Sequence, residues 1–129
     1  MNIPENLLYS KEHEWLSKTD NVVTIGITDH AQHELGDVVF VDLPDIDQRF
    51  SAEEAFCSLE SVKAVSDVFT PVTGTVTAVN ESLLDAPEKV NEEPYGEGWI
   101  IRLRLEDISQ LDGLMSPDEY SQYTQEEAT

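Results

Sequence analysis

Short runs of β-branched and other apolar residues, separated by Pro, Gly or charged residues, are the feature that most limits what this chain can fold into. Runs of this length and composition are typical of strands. With a strand that begins near Trp15, they predict about seven short strands, which favours a compact β sandwich or a flattened barrel. The runs lie at residues 22–27, 38–41, 55–62, 65–70, 75–79 and 99–105.

Two of these runs also predict which side chains are buried. In the last run every second residue from Trp99 to Leu105 is apolar, and Arg102 and Arg104 lie between them. This alternation predicts one buried and one exposed face. Residues 38–41 are apolar without a break, which predicts a strand buried on both faces.

Helix-capping residues predict a few short helices and one longer C-terminal helix. Asp29 is a candidate N-cap of a single short helix that ends at Gly36. Ser116, Pro117 and Glu119 occupy the N-cap, N1 and N3 positions of a capping box, so a C-terminal helix is expected to begin there. Two further helical turns are predicted over residues 80–84 and 107–111.

The balance of charge excludes several classes of partner. The 129 residues include 7 Lys and Arg against 27 Asp and Glu, which gives a formal net charge of −20. Nucleic-acid phosphates and anionic membrane surfaces attract clustered cations, so neither is an expected partner. The same charge suppresses self-association, and we expect a monomer that meets its partners through their basic patches.

Length and cysteine content limit the classes of protein to which this chain can belong. The chain suits one domain over residues 1–129, and a hydrophobic fraction of 40% supplies a modest core. No apolar stretch approaches the ~20 residues that span a bilayer. Residues 1–5 lack the character of a signal or transit peptide. Cys57 is the only cysteine, which excludes an internal disulfide. We expect a bacterial-type cytoplasmic domain.

Two histidines have the spacing of metal ligands on a helix. His30 and His33 lie three residues apart in the first predicted helix, and Glu34 is adjacent. The pattern places no third ligand and lacks the zinc-protease spacing. A capped surface turn explains these residues better, so no metal is expected.

Two other places carry reactive residue types. His13 and Glu14 offer a base and a carboxylate, but the start of a strand with Trp15 in the core explains them equally well. Cys57 has apolar neighbours, which is typical of a small buried side chain rather than a nucleophile. The chain contains no Gly-rich phosphate loop, nucleophile elbow or Ser-His-Asp order. Nothing here supports catalysis by this chain alone.

Lys63 lies at the predicted reversal between two strand runs. The residues around it, Val62 and Ala64, are not those that tight hairpin turns require, so another interaction must hold the tip. A lysine at such a tip is held clear of the fold, as an enzyme that acylates its amine requires. The simpler alternative is a solvated lysine paired with Glu60 or Asp67.

Several motifs, in order, resemble the glycine cleavage system H protein family. The segment around Lys63 is similar to the lipoyl-lysine segment of that family. The other matching blocks run over nearly the whole chain. The motifs are Glu60-Ser61-Val62-Lys63-Ala64, Ser66-Asp67, Pro71-Val72-Thr73-Gly74, His13-Glu14-Trp15, Gly26-Ile27-Thr28-Asp29-His30-Ala31-Gln32, Leu35-Gly36-Asp37, Val39-Phe40-Val41-Asp42-Leu43-Pro44, Val90-Asn91, Pro94-Tyr95 and Gly98-Trp99.

The resemblance implies a mostly β, lipoyl-domain-like barrel-sandwich hybrid that acts as a carrier and not as an enzyme. It implies one covalent lipoic acid on Lys63, joined by a lipoate-attaching enzyme. It also implies three further partners: the pyridoxal-phosphate enzyme glycine decarboxylase, the tetrahydrofolate-dependent aminomethyltransferase, and dihydrolipoamide dehydrogenase. In such a system the tether makes each visit to an enzyme nearly intramolecular.

In this family the loaded arm folds into a cleft on the carrier. The resemblance implies that Glu14 and Asp67 line this cleft and face the amine of the aminomethyl group. Glu12 stands beside them, where some relatives have Ser, so its contribution is an open question. The alternative is that all three are solvated surface carboxylates.

Three other functions compete with this expectation. The chain could be a lipoyl or biotinyl domain of another complex, although biotin carriers have Met where this chain has Val62 and Ala64. It could be a lipoyl relay that donates lipoate to other complexes. It could also be an acidic interaction module in which Lys63 stays unmodified.

Overall fold

A computed structural model describes residues 2–128, and within them the chain forms nine strands and four α-helices. A 3₁₀ helix spans Ile108–Gly113. The helices are α1 (Asp29–Leu35), α2 (Ser82–Asp85), α3 (Lys89–Glu92) and α4 (Pro117–Ala128). The strands are β1 (Leu8–Tyr9), β2 (Glu14–Thr19), β3 (Val22–Ile27), β4 (Val38–Asp42), β5 (Arg49–Phe50), β6 (Ala55–Ser61), β7 (Val65–Phe69), β8 (Gly74–Val79) and β9 (Ile101–Leu105).

The strands pair antiparallel in two sheets. The larger sheet has the order β1-β2-β3-β9-β8-β5, and the smaller has the order β4-β6-β7. All six strand runs of the sequence analysis form strands, so the mostly β prediction is confirmed. The strands that it missed, β1 and β5, have two residues each, which is too short to show an alternating pattern. None of the helices described is long and apolar enough to cross a bilayer.

The core lies between the two sheets. Alternate side chains of both sheets are fully buried there, among them Ile25, Leu59 and Leu103. A second, smaller cluster at one end of the larger sheet is built on Trp15 and on Tyr120 of α4. Tyr120 stacks on Tyr9 with ring centroids 4.6 Å apart. The C-terminal helix is therefore packed against the edge of the larger sheet, close to the turn that precedes β2.

The helix caps agree with the sequence except at one position. The capping box of α4 is confirmed: Ser116 N–H donates to Glu119 (3.0 Å), and Glu119 N–H donates to Ser116 Oγ (3.2 Å). The N-cap of α1 is Thr28, whose Oγ1 accepts the Ala31 N–H, and not Asp29. The Asp29 prediction was wrong because a threonine one residue earlier has the extended backbone that the cap position needs.

Two predictions of burial were also wrong. Val39 and Phe40 of β4 are 52% and 54% exposed, because β4 is the edge of the smaller sheet and has a bulge between Val38 and Phe40. Trp99 does not share the face of Leu105. It precedes β9, and the Cζ of Arg102 lies 4.4 Å from its ring centroid.

The short helices after β8 and β9 differ slightly from the sequence analysis. Helix α2 lies near the predicted turn, but α3, which follows it, was not predicted. The 3₁₀ helix extends through Gly113, which was expected to lie beyond its end.

Candidate functional site

Lys63 lies at the tip of the hairpin between β6 and β7, and Ser61 holds that tip. The Ser61 hydroxyl oxygen accepts the backbone N–H groups of Lys63 (3.2 Å) and Ala64 (3.0 Å). The backbone N–H of Ser61 donates to the Ala64 carbonyl at 2.7 Å. These bonds supply the constraint that Gly, Asn or Pro supplies in other tight turns. A serine followed directly by the tip residues is the sequence signal that identifies such a turn.

The side chain of Lys63 is exposed and extends over Gly36. A Cβ atom at Gly36 would lie 3.0 Å from Cε and 3.7 Å from Nζ of Lys63. Gly36 also has φ 85° and ψ −170°, a region that only glycine adopts without strain. Glycine at this position therefore ends α1 and leaves room for the lysine. Among the residues described, Lys63 forms no salt bridge, which counts against its pairing with Glu60 or Asp67.

Exposed apolar side chains surround the lysine. Val62 and Val65, on either side of the tip, are 71% and 65% exposed. On the smaller sheet Phe40 pairs with Glu60, and Glu60 pairs with Val65, so these three residues form a row on one face. The surface next to Lys63 thus combines apolar groups with negative charge.

A cleft of about 470 Å³ opens between the turn that precedes β2 and the end of β7. Ser10 and Glu12 line it from the turn, Glu14 from the start of β2, Phe69 from β7, and Met115 from the segment before α4.

Glu14 is a buried carboxyl in this cleft. It is 2% exposed, and the Ser10 hydroxyl donates a 2.6 Å hydrogen bond to its Oε1. The pKa of Glu14 is raised to about 7, chiefly by burial and to a smaller extent by the nearby charge of Glu12. The hydrogen bonds from Ser10 and from the Phe69 backbone offset part of this shift. The cleft therefore presents a carboxyl that changes charge near neutral pH and favours a cationic ligand.

The structure brings two of the three expected cleft carboxylates together. Glu12 lines the cleft with Glu14, and its side chain is exposed. Asp67 does not line it; this residue lies in a separate hollow with Asp42 and Cys57. Phe69 is the residue of β7 that reaches the cleft. Asp67 lies two residues earlier on the same strand, which places it roughly 7 Å away. Asp67 thus lies on the side of the cleft that faces the Lys63 tip.

The remaining candidates behave as the simpler explanations predicted, with one exception. Cys57 is buried, which raises the pKa of its thiol to about 12, so it is not a nucleophile at neutral pH. His33 is exposed and apart from His30. His30 contacts His13 instead, their rings stacked 4.4 Å apart. No local pattern could have predicted that pair, because two strands, β2 and β3, separate the two residues.

Comparison with known proteins agrees with this geometry. The family model described as Glycine cleavage H-protein matches residues 7–127. The glycine cleavage system H protein of Halothermothrix orenii is 52% identical over 126 residues, which are 98% of each chain. That of Rubrobacter xylanophilus is 54% identical over 125 residues, 97% of each chain.

A solved structure is similar over the same range. The glycine cleavage system H protein from Mycobacterium marinum matches with a TM-score of 0.86 and 32% identity, covering 98% of this chain and 100% of that one. The expected lipoyl-domain-like fold is thereby confirmed. The chain belongs to the glycine cleavage H-protein family, and it is a lipoyl carrier of the glycine cleavage system and not an enzyme.

Proposed function

We propose that Lys63 is the residue that carries lipoic acid, one per chain, in amide linkage to its Nζ. The observation that carries this proposal is the tip itself: an exposed lysine that forms no ion pair with any residue from 2 to 128, held by Ser61 and given room by Gly36. Acylation by a lipoate-attaching enzyme needs access to the amine, and this setting provides it. When bound, the lipoyl group supplies the dithiolane that takes up an aminomethyl group and the dithiol that is later reoxidised.

The partners follow from this role. We propose that the carrier visits glycine decarboxylase, the aminomethyltransferase and dihydrolipoamide dehydrogenase in turn, and that residues 1–129 act in this as one unit. The net charge of −20 attracts basic docking surfaces, and the apolar side chains of Phe40, Val62 and Val65 give the contact a dry centre beside Lys63.

The cleft has a protective role in this proposal. An aminomethyl cargo carries an amine that is cationic at neutral pH, and it decomposes in water. Glu14 accepts a charge-assisted hydrogen bond from that amine inside the cleft, and the walls around it exclude water. Glu12 at the exposed side adds negative charge to the entrance. Asp67 lies between the Lys63 tip and the cleft, where it flanks the path of the arm.

The experiment that tests the attachment site is intact mass measurement after expression in a lipoylating host. The wild-type chain is expected to show one lipoyl increment, and Lys63→Arg none. Lys89→Arg is the matched control, since Lys89 is a surface lysine that pairs with Glu97. It should keep the increment.

Two results would contradict the proposal. An increment that persists in Lys63→Arg would place the lipoyl group elsewhere. A wild-type chain with no increment, in a host that lipoylates its own proteins, would favour an interaction module with a free Lys63.

A further inference from the structure

Three metal-ligating side chains meet outside the cleft, although they are distant in sequence. His13 comes from the turn before β2, His30 from α1 and Glu127 from α4. The Nε2 atoms of His13 and His30 lie 3.0 Å and 3.9 Å from Glu127 Oε1. One ligand atom from each residue lies within 4.8 Å of the other two.

These distances fit the coordination sphere of a small transition-metal ion. Zinc binds imidazole nitrogen and carboxylate oxygen at about 2.0–2.2 Å, so tetrahedral geometry separates the ligand atoms by roughly 3.4 Å. The two observed separations of 3.0 Å and 3.9 Å lie on either side of that value. Two imidazoles and one carboxylate are a donor set that favours zinc and similar transition metals over calcium and magnesium.

The surroundings of His13 orient its ring. Its backbone has φ 70°, which is uncommon for a residue with a side chain. Its Nδ1 forms a 2.8 Å hydrogen bond with the Tyr120 hydroxyl, which in turn bonds to Thr28 Oγ1 at 2.7 Å. A second hydrogen bond of this kind, to the nitrogen that does not face the metal, is typical of metal-ligating histidines. It leaves Nε2 directed at Glu127.

We propose that His13, His30 and Glu127 bind one divalent zinc-class ion, with the fourth coordination position open to water. Such an ion joins the end of α4 and the start of α1 to the turn that carries Glu12 and leads into Glu14. By holding His13, the ion therefore fixes the backbone of that turn, which forms the mouth of the cleft.

The competing explanation is a simple hydrogen bond between His13 and Glu127, with surface carboxylates binding divalent ions without selectivity. Cobalt(II) distinguishes the two, because its visible spectrum differs between tetrahedral nitrogen-containing sites and octahedral oxygen sites. The purified full chain, stripped with a chelator, is titrated with Co²⁺ and then with Zn²⁺ in the presence of excess Mg²⁺.

The variants are His30→Gln and Glu127→Gln, and the matched control is His33→Gln, on the same helix but outside the cluster. We expect one equivalent of Co²⁺ with a tetrahedral spectrum, displaced by Zn²⁺, in the wild type and in His33→Gln. Affinity should fall at least about tenfold in the other two.

Thermal unfolding supplies a second readout, because an ion that binds only the folded state raises the melting temperature. Zn²⁺ should raise it in the wild type and in His33→Gln but not in His30→Gln. Equal, Mg²⁺-sensitive binding in all four proteins, or a site retained in His30→Gln, would overturn the proposal.

Discussion

The hydroxyl of Ser10 donates a 2.6 Å hydrogen bond to the carboxyl of Glu14, and the same oxygen accepts the backbone N–H of Glu14 at 3.0 Å. Both residues are buried. The pair closes the turn before β2 on itself and aims a titratable group into the cleft. The protonation state of Glu14 therefore affects both the stability of the fold and the ligand that the cleft accepts.

Glu14 makes the stability of the carrier depend on pH. Its pKa is about 7 in the folded chain against 4.5 for an ordinary Glu, so the folded state binds the proton more tightly. The tighter proton binding by Glu14 contributes about 3 kcal/mol to the free energy of unfolding. This contribution is complete below about pH 4.5 and is lost as the pH rises through 7. Glu14→Gln, which stays neutral, should gain stability relative to wild type between pH 5 and pH 8.

Urea unfolding at pH 5 and at pH 8 measures this difference. Glu5→Gln, at an exposed position, is the control and should follow the wild type at both values. A Glu14→Gln curve that also runs parallel to the wild type would mean that the buried carboxyl titrates as an ordinary one.

The same carboxyl is expected to protect an aminomethyl cargo. A charge-assisted hydrogen bond of about 1.5–3 kcal/mol corresponds to roughly 10- to 150-fold in equilibrium. Formaldehyde release from the loaded Glu14→Ala carrier should therefore be at least about tenfold faster than from wild type, with no aminomethyltransferase present. Asp67→Ala, outside the cleft, should leak at close to the wild-type rate. Faster release from Asp67→Ala alone would mean that the amine binds elsewhere.

Ser61 is expected to determine how fast Lys63 is acylated. Ser61→Ala removes the partner of the N–H groups of Lys63 and Ala64, which costs about 0.5–1.5 kcal/mol of local stability for each hydrogen bond. The rate of lipoate attachment should fall, and amide hydrogen exchange at the tip should rise. Ser66→Ala, on the exposed part of β7, is the comparison and should leave both rates unchanged. Unchanged attachment in Ser61→Ala would show that the enzyme itself shapes the tip.

The surface beside Lys63 is expected to set the apparent KM for partner enzymes. Phe40→Ser removes the largest exposed apolar group of the row on the smaller sheet, so KM for the carrier should rise while kcat and the melting temperature stay constant. Ile108→Ser, an exposed apolar residue on the 3₁₀ helix, should have no such effect. KM should also rise with salt, because exposed charges more than ~10 Å apart are screened at 0.1 M. If neither Phe40→Ser nor added salt changed the KM, this docking surface would be excluded.

The strands were predictable because alternation is a local property. The burial of Ile101 and Leu103 follows from the pattern of β9 alone. The exposure of Phe40 does not, because it depends on β4 being an edge strand, and strand order is decided by contacts distant in sequence. Burial explains Val38 and Val41 of that run, and the exposed Phe40 belongs to the proposed docking surface.

The residues of the candidate site also fall into two groups, those that the local sequence predicts and those whose position depends on contacts distant in sequence. Lys63 was predicted as the attachment residue from its segment and stays a prediction. The contacts of Ser61 came from the structure, although the tip without Gly or Asn already required some such partner. The placing of Asp67 outside the cleft depends on how far β7 runs before it reaches the cavity. The meeting of His13 with Glu127 depends on how α4 packs, through Tyr120, onto the turn before β2.

The serine that closes the lysine tip has a consequence for repeated encounters. Because Ser61 orders the backbone of Lys63 and Ala64 from within the hairpin, the loss of conformational entropy at the tip occurs once, when the chain folds. An enzyme that binds the tip then meets a backbone that is already ordered, so less affinity is lost to ordering it. In the proposed cycle of three enzymes this saving is repeated at every transfer, so the order imposed on one hairpin tip would favour each encounter in turn.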